Sequence, residues 1–182
     1  MPKFLLVFTG LAALLLGTPA SAALKAGGKA PDFTIPATLA GKQFTFSLAG
    51  ALKTGPVVLY FYPAAFTPGC TLEAHEFAEA TGKFKALGAT VIGVSNDDIA
   101  TLDKFSVSEC RNKFAVGADK ELTVTKQYDA QMPGLLPYAN RTSYVIAPDG
   151  TVLFEYTALD PVGHVDKTLA AVQAWVDQQK AK

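Results

Sequence analysis

Two short apolar runs, separated by a helical pattern, constrain the fold of this chain more than any other feature. Val57–Tyr62 and Thr90–Ser95 are rich in β-branched and aromatic residues, as is typical of strands buried on both faces. Residues 71–87 between them carry apolar side chains at helical spacing, and Gly88 ends the pattern. This order predicts alternating strands and helices. The apolar stripe of the helix comprises Leu72, Phe77, Ala80, Phe84 and Leu87.

The other patterns predict an α/β fold with a mixed central sheet flanked by helices. Short strands around 33–35 and 39–46 precede the first buried run, and Asp97 and Asp98 are expected to cap a second helix. Weaker patterns indicate a strand at 114–116 and a short helix at 121–128. A hairpin at 142–156 and an amphipathic helix that includes residues 165–176 complete the chain. The order fits a thioredoxin-like fold with an N-terminal β-hairpin extension, and a doubly wound α/β fold is the alternative.

Residues 1–22 predict a secretory signal peptide that is cleaved after Ala22. Lys3 provides a positive start, residues 4–16 are almost wholly apolar, and Ala20-Ser21-Ala22 offers small residues at the cut. A membrane anchor is the alternative, but the run is shorter than the roughly 20 residues that a spanning helix needs. We therefore expect an exported protein, periplasmic if bacterial, with a single domain over residues 23–182 and no membrane association after cleavage.

Composition excludes several classes of function. The chain has 16 basic and 16 acidic side chains, a balance that argues against a nucleic-acid-binding protein. Its two cysteines are too few for a disulfide-rich scaffold or for a cysteine-rich zinc site. The glycines form no phosphate-binding motif, and the sequence shows no metal, nucleotide or flavin site, so we expect no cofactor.

Cys70 is the first candidate for chemistry, because it lies where a buried strand leads through a loop into a helix. Unpaired backbone N–H groups and the helix dipole favour negative charge at that position. A free cysteine is only about 3% thiolate at pH 7, and a helix N-terminus can lower the pKa of its thiol. Glu73, Glu76 and Glu79 suit the dipole but would oppose a thiolate at which they pointed. A buried, unreactive cysteine is the alternative.

The sequence around Cys70 resembles that of the peroxiredoxins. The spacing Pro63-x-x-x-Thr67-x-x-Cys70 matches their active-site motif, and its context is similar to the bacterioferritin-comigratory, or PrxQ, branch. Three further blocks are similar to that family in the same order. They are Gly28–Phe33, Leu87–Ser95, and Arg141–Ile146 with Asp149-Gly150.

The resemblance implies a thiol-dependent peroxidase that reduces hydrogen peroxide, organic hydroperoxides or both. Cys70 would attack the peroxide O–O bond and become a sulfenic acid. Thr67 would hydrogen-bond the peroxide, and Arg141 would favour the thiolate and stabilise charge on the leaving oxygen. Pro63 would shield the pocket. Thr67 and Arg141 are therefore the expected substrate-binding residues.

The second cysteine, Cys110, raises the question of how the sulfenic acid is reduced. In much of the PrxQ branch a resolving cysteine lies five residues after the peroxidatic one, but here that residue is His75, which we expect to face solvent. Another subgroup places the resolving cysteine on the next helix, so the resemblance implies a redox-active Cys70–Cys110 disulfide. Bridging needs Cα atoms within about 7 Å, so local unwinding is expected. A permanent structural disulfide and a one-cysteine mechanism remain open.

Three rival functions stay open at this stage. A thioredoxin-fold metal chaperone would use Cys70, His75 and His164 as ligands. A thiol–disulfide oxidoreductase would usually carry Cys-x-x-Cys, which is absent. A non-catalytic interaction domain would form large assemblies. For the peroxidase, the expected partners are a peroxide and a thioredoxin-like or other exported thiol reductant, and a monomer is favoured over a dimer.

Overall fold

A computed structural model describes residues 24–134 and 136–181 of the chain. The expected signal peptide and its cleavage site lie outside these residues. No helix among those described is long and apolar enough to cross a membrane. In chain order the elements are β1 (Thr34–Leu39), β2 (Lys42–Ser47), α1 (Leu48–Leu52), β3 (Val57–Phe61), α2 (Pro68–Ala86), β4 (Thr90–Ser95), α3 (Ile99–Ser108), β5 (Ala115–Ala118), α4 (Thr123–Gln127), β6 (Thr142–Ile146), β7 (Val152–Thr157) and α5 (His164–Lys180).

All seven strands form one mixed sheet in the order β2-β1-β5-β4-β3-β6-β7. The central strands β3, β4 and β5 run parallel, as strands connected by helices do. β6 pairs antiparallel with β3, so Thr142 lies opposite Phe61 at the carboxyl end of β3. The expected mixed sheet is confirmed. The N-terminal hairpin joins it at the edge, because β1 pairs antiparallel with β5.

Alternate residues of β3 face two separate hydrophobic cores, which explains its unbroken apolar sequence. Leu59 and Phe61 pack into the core that contains Phe33, Tyr128 and Tyr144. On the opposite face, the core residues Val58, Tyr60 and Tyr62 pack with buried side chains of α2, α3 and α5. Both cysteines belong to this second core.

Three details of the helices differ from the sequence prediction. α2 begins at Pro68 rather than at Thr71, because proline suits the first helical position. Leu72 is exposed and Glu73 is buried, because Glu73 lies four residues before the buried Phe77 and so shares its face of the helix; Leu72 is not part of the apolar stripe. The five-residue α1, capped by the Ser47 hydroxyl, was not predicted because it is too short to show helical periodicity.

Candidate active site

Cys70 is the third residue of α2 and is 2% exposed. β3 ends at Phe61, and a short loop then leads into the helix. Thr67 is the N-cap, and its carbonyl accepts the Thr71 N–H at 2.9 Å. The N–H groups of Gly69 and Cys70 fall in the first turn, where no preceding helical carbonyl is available to bond them. This end of α2 therefore favours negative charge on the cysteine sulfur.

Arg141 lies directly against that sulfur. It precedes β6, which pairs with β3 and so brings the arginine to the end of the strand that leads to Cys70. Its Nη2 donates to Cys70 Sγ at 3.4 Å, and its Nε donates to the carbonyl of Leu159 at 2.9 Å. Nη1 forms an ion pair with the Glu73 carboxylate. The guanidinium is thus oriented by three partners, and only one of them is the reactive thiol.

Gly69 makes room for the guanidinium, a role that the sequence analysis missed. A Cβ atom at this position would lie 3.1 Å from Arg141 Nη2, closer than nearly all such contacts. The signal was present in the sequence as a glycine directly before the cysteine. The role of this glycine could be recognised only once the position of the Arg141 guanidinium was known.

Glu73 is buried beside Arg141 and extends the site away from the cysteine. Burial raises the pKa of its carboxyl to about 8, and the Arg141 charge and hydrogen bond oppose that rise. Its Oε1 lies 3.7 Å from His164 Nδ1 and has no hydrogen-bond partner among the described residues. From the sequence, this carboxylate suits the helix dipole and would oppose a thiolate only if it pointed at one. In the structure, the Glu73 carboxylate pairs with Arg141, the cation that also contacts the Cys70 sulfur.

His164 is fully buried behind Glu73 and has a well-defined tautomer. Burial lowers the pKa of its imidazole, which keeps it neutral. Nε2 lies 3.0 Å from the Ala158 carbonyl, which only accepts, so Nε2 carries the hydrogen. Nδ1 therefore accepts from the Ser143 hydroxyl at 2.8 Å. His164 therefore packs against Glu73 on the side away from Cys70, and both of its ring nitrogens are hydrogen-bonded, so it is not free to bind a metal.

Thr67 and Pro63 lie in the loop that leads to Cys70. The Thr67 hydroxyl donates to the Ala64 carbonyl at 2.9 Å and makes no capping bond with α2. Because its hydrogen is engaged, its lone pairs are available to accept a hydrogen bond from a ligand. Pro63 is half-buried directly after the buried Tyr62.

Asp97 holds this loop, although the sequence suggested a helix cap. Its Oδ2 accepts from the Ala65 N–H at 2.8 Å and from the Ser95 hydroxyl at 2.8 Å. Asp98 alone caps α3, accepting from Thr101 N–H at 2.7 Å. The loop also contains Phe66 at φ 63°, a left-handed conformation that is unfavourable for phenylalanine. Asp97 therefore fixes a strained segment that carries active-site residues.

Cys110 lies just after α3 and is fully buried in the same core as Cys70. Both cysteines are free thiols. The two cysteines share this core with Tyr60 and Tyr62, whose hydroxyl pKa values are raised first by burial and further by the neighbouring cysteines. Burial, and secondarily the Glu109 carboxylate, raises the pKa of the Cys110 thiol.

His75 is partly exposed rather than fully solvent-facing, because one side of its ring contacts a carboxylate. Its side chain is 33% exposed, and its Nε2 lies 2.9 Å from Glu109 Oε2. Within residues 24–134 and 136–181, no group of three or more histidine, cysteine, aspartate and glutamate side chains is arranged to hold a metal ion. The chaperone hypothesis needs Cys70, His75 and His164 as ligands, and both histidines have other partners.

The thioredoxin-like fold and the Cys70–Arg141 contact define a protein of the peroxiredoxin class. The chain belongs to the AhpC/TSA family, which matches residues 26–154. Peroxiredoxin Q, chloroplastic, from Oryza sativa subsp. japonica is 36% identical over 151 residues. That match covers 81% of this chain but 66% of the relative, so the chain spans just under two thirds of its length.

Solved structures support the same assignment. The chain is similar to peroxidoxin BcpB from Mycobacterium tuberculosis, with 33% identity and a TM-score of 0.75 over 83% of this chain and 97% of that one. Peroxiredoxin Q from Xanthomonas campestris has 28% identity and a TM-score of 0.69, covering 78% of this chain and 91% of that one. These similarities support the PrxQ-like branch expected from the sequence.

Proposed function

We propose that the protein is a thiol-dependent peroxidase that reduces hydrogen peroxide, organic hydroperoxides or both. The observation that carries this proposal is the contact of Arg141 Nη2 with Cys70 Sγ at the N-terminus of α2. A buried cation and helix N–H groups favour the thiolate, which is the nucleophilic form of cysteine. Membership of the AhpC/TSA family supports the same chemistry.

In the first step the Cys70 thiolate attacks one peroxide oxygen. An S–O bond forms, the O–O bond breaks, and the leaving oxygen takes up a proton equivalent to the one that the Cys70 thiol released on ionising, so that it leaves as an alcohol or water. Negative charge moves from sulfur to that oxygen, so the Arg141 guanidinium stabilises both ends of the step. The Thr67 hydroxyl, whose hydrogen is engaged by Ala64, accepts a hydrogen bond from the peroxide and orients it.

In the second step Cys110 resolves the sulfenic acid as an intramolecular disulfide. Its location in the same core as Cys70 supports this role. Its burial and raised thiol pKa make it unreactive in the closed fold, so its segment must open locally before it reacts. A thioredoxin-type reductant then returns both cysteines to thiols.

Peroxide consumption by reduced variants tests the first step. Cys70→Ser should abolish the reaction, and Arg141→Gln should slow it about 10²- to 10³-fold, because one fixed donor to a developing oxyanion is worth that much. The matched control is Arg111→Gln, since Arg111 is the only other arginine and pairs with the exposed Glu79. Undiminished consumption by Cys70→Ser would refute the proposal.

Turnover with a thioredoxin-type reductant tests the second step. Cys110→Ser should react with the first equivalent of peroxide at the normal rate, then accumulate sulfenic acid and turn over slowly. Turnover at the wild-type rate would instead support the one-cysteine mechanism, with Cys110 as a bystander.

We also propose that the protein is exported after removal of residues 1–22 and acts as a monomer with an exported thiol reductant. The apolar run and the small residues at Ala20-Ser21-Ala22 support export. N-terminal sequencing of the protein produced in its natural host should begin at Ala23. An intact N-terminus would contradict export by this route.

A further inference from the structure

Two side-chain contacts join α2 to the residues on either side of Cys110. His75 Nε2 lies 2.9 Å from Glu109 Oε2, and Glu79 pairs with Arg111. His75 and Glu79 are four residues apart, so they lie on one face of α2 in successive turns. The helix that carries Cys70 at its start therefore also holds the Cys110 segment at two points.

The first pair is the better shielded of the two. The side chains of His75 and Glu109 are 33% and 19% exposed, against 72% for Glu79 and 44% for Arg111. Ion pairs near the surface contribute modestly, and less when they are exposed to solvent and salt. Each contact alone is weak, and together they favour the closed segment.

The backbone next to Cys110 is strained in the closed segment. Arg111 and Asn112 have φ angles of 50° and 59°, in the left-handed region. Asparagine tolerates this region better than arginine does, so Arg111 bears most of the cost. Release of the segment would relax this strain, which therefore acts against the two side-chain contacts.

Cys110 cannot react while the segment is closed. Its side chain is fully buried, and burial together with the Glu109 carboxylate raises the pKa of its thiol. Only the thiolate attacks sulfur efficiently. Opening of the segment is therefore required before resolution, and the contacts that hold it closed affect the resolution rate.

We propose that His75 and Glu79 are positioning residues that clamp the Cys110 segment to α2, and that opening of this clamp sets the rate of disulfide formation. The inference rests on the proposed role of Cys110 as the resolving cysteine. In the step it controls, the Cys110 sulfur attacks the Cys70 sulfenic acid. An S–S bond forms, the S–O bond breaks, and hydroxide leaves with the Cys110 proton as water.

The double variant His75→Gln with Glu79→Gln tests the clamp by rapid quenching and intact-mass analysis. Sulfenic acid should form on Cys70 at the wild-type rate, and the disulfide should then form about two- to tenfold faster, as expected for the loss of two weak side-chain contacts. Excess peroxide should overoxidise less of the variant to sulfinic acid, because resolution competes better. The control Lys29→Gln removes the exposed pair with Asp149 and should leave both rates unchanged.

A second readout needs no peroxide. In the Cys70→Ser background, alkylation of Cys110 by iodoacetamide reports how often the segment opens. Alkylation of the double variant should be faster than that of its parent by the same factor as disulfide formation. If general loss of stability were the cause, unrelated destabilised variants would show the same increase in alkylation rate. Charge exchange provides the rescue: Glu79→Arg combined with Arg111→Glu should return alkylation and disulfide formation toward wild-type rates, while either single change accelerates both.

The outcomes separate this inference from the function on which it rests. If wild-type protein forms no Cys70–Cys110 disulfide, the resolving role of Cys110 fails and the clamp fails with it. If the disulfide forms but its rate is unchanged or slower in the double variant, only the clamp is refuted.

Discussion

At the scale of single residues, Glu73 controls how much of the Arg141 charge acts on Cys70. An ionised Glu73 neutralises the guanidinium, whereas a protonated Glu73 leaves that charge to the thiolate. Its burial raises the pKa of the carboxyl to about 8, while the charge of Arg141 opposes the rise. The protonation state of this one carboxyl therefore links the active site to the stability of the fold.

This link predicts how stability changes with pH. A carboxyl whose pKa is about 8 in the folded protein and about 4.5 when unfolded binds its proton more tightly in the fold. The contribution of the protonated Glu73 carboxyl to the free energy of unfolding is complete below pH 4.5 and is lost as pH rises through about 8. Denaturant unfolding should show that wild type loses free energy of unfolding relative to Glu73→Gln across this window. A difference that is constant with pH, or that grows in favour of wild type, would contradict the prediction.

Sequence reasoning found the site residues that the family resemblance links, and it missed contacts that join distant positions without any local pattern. Cys70 and Arg141 could be proposed because the resemblance links distant positions, and the structure brings them into contact. The partner of His75 lies 34 residues away, and no local pattern indicated it. Glu73 lies four residues before Phe77 and therefore on the buried face of α2, which the helical spacing could have revealed.

At the scale of elements, the active-site loop depends on the adjacent end of β4. Asp97 follows β4 and accepts the Ala65 N–H, while its neighbour Asp98 caps α3. Two adjacent aspartates thus support different elements, although the sequence predicted one capping role for both. The division follows from the strand end, which directs successive side chains to different neighbours.

This division provides a matched pair of variants. Asp97→Ala should slow the reaction of reduced protein with peroxide about tenfold or more, because small misplacements of reacting groups are costly. Asp98→Ala should cost about 1 kcal/mol of stability through loss of the cap and leave the peroxide rate unchanged. Stopped-flow peroxide consumption and denaturant unfolding measure both effects. Equal rates for Asp97→Ala and wild type would show that the loop does not need this anchor.

At the scale of the whole molecule, the succession of strands and most helices along the chain could be predicted, because their hydrophobic patterns are strong. β3 and β4 are unbroken apolar runs, and the two cores on either side of the sheet explain why. The crossing of β6 beside β3, which positions Arg141, is a long-range pairing that no local pattern shows. The resemblance supplied the role of Arg141, whereas the pairing of β6 with β3 was not predicted from the sequence.

Buried tyrosine hydroxyls offer a test of packing across the whole fold. Tyr60 and Tyr144 are both buried, but the Tyr60 hydroxyl has no partner among the described residues, whereas Tyr144 donates to the Tyr128 carbonyl at 2.6 Å. Tyr60→Phe should therefore leave the free energy of unfolding unchanged or raise it by up to about 1 kcal/mol, while Tyr144→Phe should lower it by about 1 kcal/mol or more. A larger loss for Tyr60→Phe than for Tyr144→Phe would contradict these contacts.

The most direct test of the account is to locate the oxygen after peroxide has reacted. Cys110→Ser protein is treated with an equimolar amount of hydrogen peroxide, the sulfenic acid is trapped with dimedone, and the peptides are mapped by mass. We predict one adduct, on Cys70, and none when Arg141→Gln is added and the reaction is stopped at the same early time. Consumption of peroxide without an adduct on Cys70 would contradict the central claim.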